Sequence, residues 1–83
     1  MDREQLLQLQ VDKKVDARAT ACPGPLLAAK KEINDIGAGK IMEVLSSDEA
    51  TKRDLPKWAE KKGHEYLGTI EESGFFRIFM RKG

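Results

Sequence analysis

Residues 64–81, His-Glu-Tyr-Leu-Gly-Thr-Ile-Glu-Glu-Ser-Gly-Phe-Phe-Arg-Ile-Phe-Met-Arg, predict two strands joined by a turn. The strands cover residues 64–70 and 75–81, and the turn covers Glu71 to Gly74. Successive side chains of a strand point to opposite faces. One face of the last strand is therefore wholly apolar and the other mixes aromatic residues with arginine. The first face holds Phe76, Ile78 and Met80, and the second holds Phe75, Arg77, Phe79 and Arg81.

Upstream of this hairpin, the pattern alternates between strand and helix. A short strand is predicted over residues 11–16, with Val11 and Val15 as its apolar residues, and a second over Ile41 to Leu45. Between them, residues 24–36 repeat apolar side chains at spacings of three and four, which places these on one helix face. That face holds Leu26, Ala29, Ile33 and Ile36.

A second helix follows the strand at Ile41 and ends near Lys62, before Gly63. Leu55, Trp58 and Ala59 lie on one of its faces. Pro56 costs about 3 kcal/mol in a helix interior but is tolerated in the first turn. We therefore expect an irregular entry turn, a regular helix from about Asp54, and a capping role for the Asp54 side chain.

The order strand, helix, strand, helix, strand, strand predicts an α/β (α+β) fold, a βαβαββ two-layer sandwich. Two helices cannot cover both faces of a four-stranded mixed sheet, so we expect both on one face. The other sheet face is then open to water. Aromatic residues and arginine are enriched at interfaces, so the stripe from Phe75 to Arg81 is either a docking surface or an ordinary exposed strand face.

Composition bounds the class of protein. The chain has 83 residues and a net charge of +1, which fits one domain over residues 1–83 and argues against a strongly basic nucleic-acid binder. No stretch resembles a signal peptide or reaches the roughly 18 apolar residues of a membrane helix. We therefore expect a cytoplasmic protein with no membrane contact. The leucines of residues 1–9 leave open whether this segment is ordered or a disordered extension.

The chain has one cysteine, Cys22, and one histidine, His64. A disulfide within the chain and a Cys-x-x-Cys redox pair are therefore excluded. A structural zinc site on cysteine is also excluded, because it takes four ligands. We expect no metal site.

Cys22 lies between a predicted strand and a predicted helix, in the stretch Thr-Ala-Cys-Pro-Gly-Pro-Leu-Leu. Proline is favoured at the first helical position, so Pro23 and Pro25 predict a stiff entry into the helix. The positive end of a helix macrodipole lowers the pKa of a thiol from about 8.5 to roughly 3.5–7.5. Gly24 leaves room for a partner to approach the sulfur. The pattern predicts a reactive thiolate.

A lone cysteine can also serve in less reactive roles or in different chemistry. Free cysteines are often small buried apolar residues, in which case Cys22 is inert. A hydrolase would pair the cysteine with a histidine base, but His64 is explained better as a capping or turn residue. A thiol–disulfide enzyme would need a second cysteine. What is left is a lone thiolate that accepts a group and passes it on.

Two motifs resemble those of the TusA/SirA-like small sulfur carriers. The first is Asp16-Ala17-Arg18-x-x-x-Cys22-Pro23-x-Pro25-Leu26. The second runs from Asp48 through Pro56 and Trp58 to Gly63-His64-Glu65, and the end of the chain, Phe76 to Lys82, resembles the last strand of that family. The likeness covers residues from about 11 to 83, and both motifs agree in order and spacing.

The resemblance implies a persulfide on Cys22, without metal or organic cofactor, in a carrier that has no independent turnover. The sulfur would come from a cysteine desulfurase or rhodanese-like donor and pass to a TusD/DsrE-like or heterodisulfide-reductase-like acceptor protein, without direct nucleic-acid contact. The pathway would be tRNA thiolation, cofactor synthesis or sulfur oxidation. The other residues that the resemblance assigns to the motif, its support or partner docking are Pro23, Pro25, Asp16, Arg18, Gly24, Arg53 and Asp54.

The sequence departs from the family pattern at two places. Gly24 stands between the prolines where the tRNA-thiolation type often has an acidic residue, and residues 17–21 differ from the common Arg-Gly-Leu form. Both departures leave the fold intact. They fit a member that serves sulfur oxidation or sulfur trafficking and leave the pathway open.

Two functions of other classes compete with sulfur carriage. A two-layer sandwich with an exposed sheet face resembles the C-terminal domain of a bacterial translation initiation factor, which suggests a regulatory or RNA-binding module. The net charge of +1 and few aromatic residues count against it. The other is a protein-interaction module that uses Phe75 and Phe79, with an inert Cys22.

Overall fold

The computed structural model of the chain describes residues 3–18 and 24–83. After a short first helix, its elements follow the predicted βαβαββ order. They are α1 (Arg3–Leu7), β1 (Lys13–Asp16), α2 (Gly24–Ile33), β2 (Ile41–Ser46), α3 (Glu49–Lys61), β3 (Glu65–Glu72) and β4 (Phe75–Arg81).

The four strands form one mixed sheet in the order β1-β2-β4-β3. β1 pairs with β2 in parallel, and β4 is antiparallel to both of its neighbours, so β1, β2 and β3 all run the same way. α2 and α3 connect parallel strands and therefore run back against them. Both helices begin where β1, β2 and β3 end. We call this end of the molecule the carboxyl edge; it holds residues 16–18, 46–48 and 72–75.

The main core lies between the sheet and the two long helices, as predicted. Ile78 and Met80 of β4 are fully buried there, together with Ala29 and Ile33 of α2. Leu26 and Ile36 pack against the same cluster from its margin. The helix face and the apolar strand face that the sequence indicates are thus the two halves of one core, which confirms the two-layer architecture.

α3 begins earlier than predicted. The helix covers Glu49–Lys61 with Asp48 as its N-cap, and Pro56 lies inside it. Thr51 and Leu55 are fully buried, so packing of the first two turns outweighs the cost of about 3 kcal/mol for the proline. The predicted irregular entry turn and the capping role of Asp54 are therefore wrong.

The hairpin differs from prediction in the length of its turn. β3 starts one residue later than expected and continues to Glu72, so only Ser73 and Gly74 join it to β4. Gly74 has a φ of 89°, a conformation that glycine adopts without steric cost.

The second sheet face is not open to water along its whole length, which corrects the expectation. α1 lies against β3, and Leu6 is 2% exposed. Leu6 rests over Gly68, where an added Cβ would lie 2.9 Å from Leu6 Cδ1. Phe79, expected on the exposed face, is 1% exposed beneath this helix. This second cluster consists of Leu6, Ile41, Leu67, Ile70 and Phe79.

The segment before β1 forms α1 over Arg3–Leu7, and its Leu6 packs on the sheet. Its side chains cover part of this sheet face from water, because the two long helices both pack on the other face. Leu9 and Val11 continue the cover beyond the end of α1. Val11, predicted within the first strand, lies just before it, because β1 begins at Lys13.

Candidate functional site

The carboxyl edge brings together the ends of β1, β2 and the β3–β4 hairpin around Arg18. The Ala17 N–H donates to the Leu45 carbonyl at 2.8 Å, which extends the parallel pairing by one residue. The Ser47 hydroxyl then donates to the Arg18 carbonyl oxygen. The backbone is therefore tied to β2 up to residue 18, the last described residue before the cysteine segment.

Asp16 and Arg18 form a two-pronged ion pair. Arg18 Nε donates to Asp16 Oδ1 at 2.9 Å and Arg18 Nη2 donates to Oδ2 at 2.8 Å. The Arg18 backbone N–H also donates to Oδ1 at 3.2 Å. These hydrogen bonds hold the pKa of the Asp16 carboxyl at about 2. The side-chain hydrogen bonds from Arg18 have the largest effect, and the backbone one comes next. Two residues that the family resemblance singles out are thus one unit.

The Arg18 guanidinium also lies over the ring of Phe75, with 5.0 Å between the guanidinium carbon and the ring centroid. This cation–π contact joins the end of β1 to the start of β4, two strands away in the sheet. Beneath it lies a groove of about 410 Å³ on the half of the sheet face that α1 leaves uncovered. The groove is lined by Lys14, Asp16, Arg18, Leu45, Glu72, Phe75 and Arg77.

A buried ion pair lies next to this groove. Glu43, in the middle of β2, is 1% exposed, and Arg77 Nε on β4 donates to its Oε2. Lys14 Nζ lies 3.9 Å from the other carboxylate oxygen. A buried carboxylate without such partners would be strongly destabilising. Glu43 interrupts the apolar run Ile41 to Leu45, and that interruption is the sequence signal that would have pointed to this pair.

α2 begins at Gly24 on the same edge. Cys22 and Pro23 lie outside the described residues, as do residues 19–21. Pro25 is the second residue of α2, and a proline at this position lacks one of the N–H groups that a first turn leaves without intrahelical partners. In the sequence, Cys22 stands two residues before the first helical residue, and its place beside the helix N-terminus stays a prediction.

Arg53 and Asp54 are neighbours on α3 and pair with each other, with 3.1 Å between Arg53 Nε and Asp54 Oδ1. Neither residue lines the groove around Arg18. Asp48, not Asp54, stands at the N-cap position of α3. Its side chain makes no capping hydrogen bond to the backbone and accepts from the Thr51 hydroxyl at 3.1 Å. A docking role for Arg53 and Asp54 stays a prediction.

His64 lies at the other end of the molecule. It lines a cleft with Lys30 and Asn34, near the C-terminal end of α2, while the cysteine precedes the N-terminal end of that helix in the sequence. The Gly83 N–H donates to His64 Nδ1 at 3.1 Å. His64 thus binds the end of the chain, in keeping with the turn role expected from the sequence.

Neither a metal centre nor a membrane-spanning helix is found in the described part of the chain. Within residues 3–18 and 24–83, no group of three or more His, Cys, Asp or Glu side chains is arranged to hold a metal ion. No helix in the same ranges is long and apolar enough to cross a bilayer.

Comparison with known proteins identifies the family. The model of the family described as "Sulfurtransferase TusA" matches residues 13–82. This chain belongs to that family. The match begins at β1, so α1 lies outside it. It includes the carboxyl edge, both long helices and the cysteine motif.

Individual relatives agree with this assignment. YrkF of Bacillus subtilis (strain 168) is 44% identical over 69 residues, which are 83% of this chain and 37% of YrkF, so the chain spans little more than a third of that relative. The sulfur carrier protein TusA of Pseudomonas entomophila (strain L48) is 37% identical over 86% of this chain and 89% of its own length.

A solved structure shows the same fold. The crystal structure of a SirA-like protein from Desulfitobacterium hafniense has a TM-score of 0.71 and 31% sequence identity to this chain. It covers 86% of this chain and 97% of its own. The two-layer sandwich is thus that of the family.

The Asp16–Arg18 pair predicts a measurable pH dependence. In the variant Arg18→Gln, the pKa of the Asp16 carboxyl should rise from about 2 toward its ordinary value of 3.8. Because the folded-state pKa is depressed, the pair stabilises the fold above about pH 4 and this stabilisation is lost as the pH falls through 2. Carbon-detected NMR titration of the carboxyl measures the shift.

The control for this titration is Arg81→Gln, which removes another exposed arginine that pairs with a carboxylate, Glu65, at 2.6 Å. It should leave the pKa of Asp16 at about 2. An ordinary pKa for Asp16 in the unmodified protein would contradict the geometry.

Proposed function

We propose that the protein is a sulfur carrier in which Cys22 holds sulfane sulfur as a persulfide. The observation that supports this most is the family match over residues 13–82, which spans the cysteine motif and the N-terminus of α2. Thiols beside helix N-termini have lowered pKa values. The thiolate is the form that accepts sulfur.

The transfer step needs no oxidant and no reductant. The Cys22 thiolate attacks the outer sulfur of a donor persulfide, a sulfur–sulfur bond forms to Cys22, and the donor leaves as a thiolate. Delivery is the same exchange with the roles reversed. An anionic terminal sulfur near a helix N-terminus is stabilised by the macrodipole and by N–H groups of the first turn.

Docking of larger partners would use the surface around the cysteine segment. Leu27, in the first turn of α2, is 57% exposed although it is a large apolar residue. Arg18 and Phe75 contact each other at the carboxyl edge, with 5.0 Å between the guanidinium carbon and the ring centroid. Arginine and aromatic residues are enriched at interfaces, and we propose that these three side chains take part in docking. The partners we propose are a cysteine desulfurase or rhodanese-like donor and a TusD/DsrE-like or heterodisulfide-reductase-like acceptor, in the cytoplasm.

Sulfur transfer tests the proposal directly. Protein loaded by a cysteine desulfurase with radiolabelled cysteine as the sulfur source should gain one labelled sulfur, and the label should move to an acceptor protein of the DsrE type. A thiol reductant should remove the label from both proteins, because it is oxidised to a disulfide and releases the outer sulfur of a persulfide as sulfide. Gel electrophoresis without reductant follows the label.

A control separates carriage from adventitious persulfide chemistry. Leu27→Glu alters the exposed leucine but leaves the cysteine in place. We expect it to slow loading by the desulfurase more than loading by a small sulfane-sulfur donor, because only the protein donor has to dock. Equal slowing with both donors would contradict docking through Leu27, and a failure of both donors to load the unmodified protein would contradict sulfur carriage.

A further inference from the structure

A second cleft lies at the end of the molecule away from the carboxyl edge, between the C-terminal ends of α2 and α3. Its volume is about 420 Å³, within the range of small-molecule sites. At a rise of 1.5 Å per residue, Lys30 and Asn34 lie roughly 9 and 15 Å along the chain's helical direction from Gly24, the first residue of α2. The cleft is therefore separate from the cysteine segment. It is lined by Lys30, Ile33, Asn34, Trp58, Lys62 and His64.

The cleft combines an apolar floor with a cationic rim. Ile33 is 1% exposed, and the partly buried ring of Trp58 packs against the same core. Lys30 and Lys62 are exposed. No carboxylate of the described ranges lines the cleft, and neither lysine belongs to an ion pair there. Both ammonium groups are therefore open to an anionic ligand.

His64 adds a neutral hydrogen-bond donor. Its Nδ1 accepts from the Gly83 N–H at 3.1 Å, so the proton of the neutral ring is on Nε2. Burial, and then the nearby charge of Lys82, lower the pKa of His64 below its usual value of 6.5. The ring is therefore neutral at pH 7 and has an N–H to offer.

Trp58 has a polar atom without a partner. Among side chains in the described part of the chain, its Nε1 is the one buried polar atom that has no hydrogen bond. A buried N–H without an acceptor is destabilising. Because this nitrogen is not exposed to solvent, an acceptor on a ligand reaches it only after the Trp58 side chain moves.

The negative C-terminal ends of the two helices disfavour an anion in the cleft, but the positive charges of the two lysines are larger. Each C-terminus is equivalent to about half a negative charge, and two helices end here. The last carbonyls of α3 already accept turn N–H groups, since Trp58 O accepts from Lys62 at 3.0 Å and Ala59 O from His64 at 2.8 Å. Two full positive charges therefore leave the rim positive.

We propose that this cleft binds a phosphate monoester carried on a flat ring, a ligand of the size of a nucleoside monophosphate. The dianionic phosphate matches the two ammonium groups of Lys30 and Lys62, and Asn34 and His64 offer further polar groups at the rim. The ring contacts the part of the Trp58 indole that lines the cleft, where the indole and His64 ring centroids are 5.4 Å apart. Such a site is independent of sulfur carriage and gives the protein a second ligand.

Trp58 is the single tryptophan of the chain, so its fluorescence reports on the cleft. Titration with adenosine monophosphate, excited where only tryptophan absorbs and corrected with free tryptophan amide, should give a saturable change in emission. Adenosine and inorganic phosphate, each of which lacks one half of the ligand, should need at least about tenfold higher concentrations.

Matched variants decide whether the cleft is responsible. Lys30→Gln and Lys62→Gln should each weaken binding about fivefold, the effect of an exposed charge pair. Lys57→Gln removes an exposed lysine of α3 outside the cleft and should leave binding unchanged. A lack of saturable change with adenosine monophosphate, or equal weakening by all three substitutions, would overturn the proposal. Neither outcome depends on Cys22, so sulfur carriage is tested separately.

Discussion

Replacement of Cys22 by serine should abolish sulfur loading entirely. The chain has one cysteine, and a hydroxyl does not form a persulfide, so no other side chain can take over the role. Intact-mass measurement after incubation with a sulfane-sulfur donor should show the mass of one added sulfur on the unmodified protein and none on Cys22→Ser. Equal modification of the serine variant would refute the proposed role of Cys22.

The pH dependence of thiol alkylation tests the role of Cys22 independently. The rate of alkylation should follow a pKa below the value of about 8.5 of a free cysteine, because the thiol precedes a helix N-terminus. A pKa at or above that value would favour the alternative of an inert Cys22. Since no second thiol is present, the measurement needs no assignment. Lys57→Gln, which alters an exposed lysine of α3, should load and alkylate like the unmodified protein.

Truncation of Phe79 to alanine should produce a larger loss of stability than truncation of Phe75, the other aromatic residue of the last strand's second face. Phe79 is 1% exposed, packed with Leu6, Ile70 and the rest of the α1-side cluster. Loss of a buried phenylalanine costs about 3–5 kcal/mol. At roughly 4–8 °C per kcal/mol for a domain of this size, Tm should fall by more than about 10 °C in thermal unfolding followed by circular dichroism.

Phe75 provides the matched control for Phe79. It lies on the same face of the same strand, but it is only partly buried and contacts the Arg18 guanidinium at 5.0 Å from the ring centroid. Phe75→Ala should cost about 1 kcal/mol, the order of a cation–π contact at a partly exposed site. Equal costs for the two substitutions would mean that α1 does not cover Phe79 in solution.

The local pattern of apolar and polar residues was sufficient to predict most of the fold. The alternation in residues 75–81 predicts β4 to the residue, because a half-buried strand needs one continuous apolar face. The spacing of Leu26, Ala29 and Ile33 likewise predicts the buried side of α2. These features depend only on residues that are close together in the sequence.

The start of α3 and the cover by α1 could not be found in this way. Pro56 argues locally for a late start, and only the burial of Thr51 and Leu55 against the sheet reverses that argument. Leu6 is one leucine among polar residues. Its burial depends on Gly68, 62 residues away in the sequence, where the lack of a Cβ leaves space for its side chain.

The candidate site shows the same division. Its residue types were predicted from the motif, including Asp16, Arg18, Cys22 and Pro25. The contacts of Arg18 with Ser47 and Phe75, and of Glu43 with Arg77, join strands that are distant in the sequence, and no local spacing indicates them.

The sequence by itself determined the order of strands and helices, the core faces of the two long helices and β4, and the single thiol beside a helix start. These follow from periodicity and from composition. Only the tertiary structure decided which face α1 covers, where α3 begins and which side chains surround Arg18. Each of those outcomes depends on burial between segments far apart in the chain, and burial exists only once the sheet has brought them together.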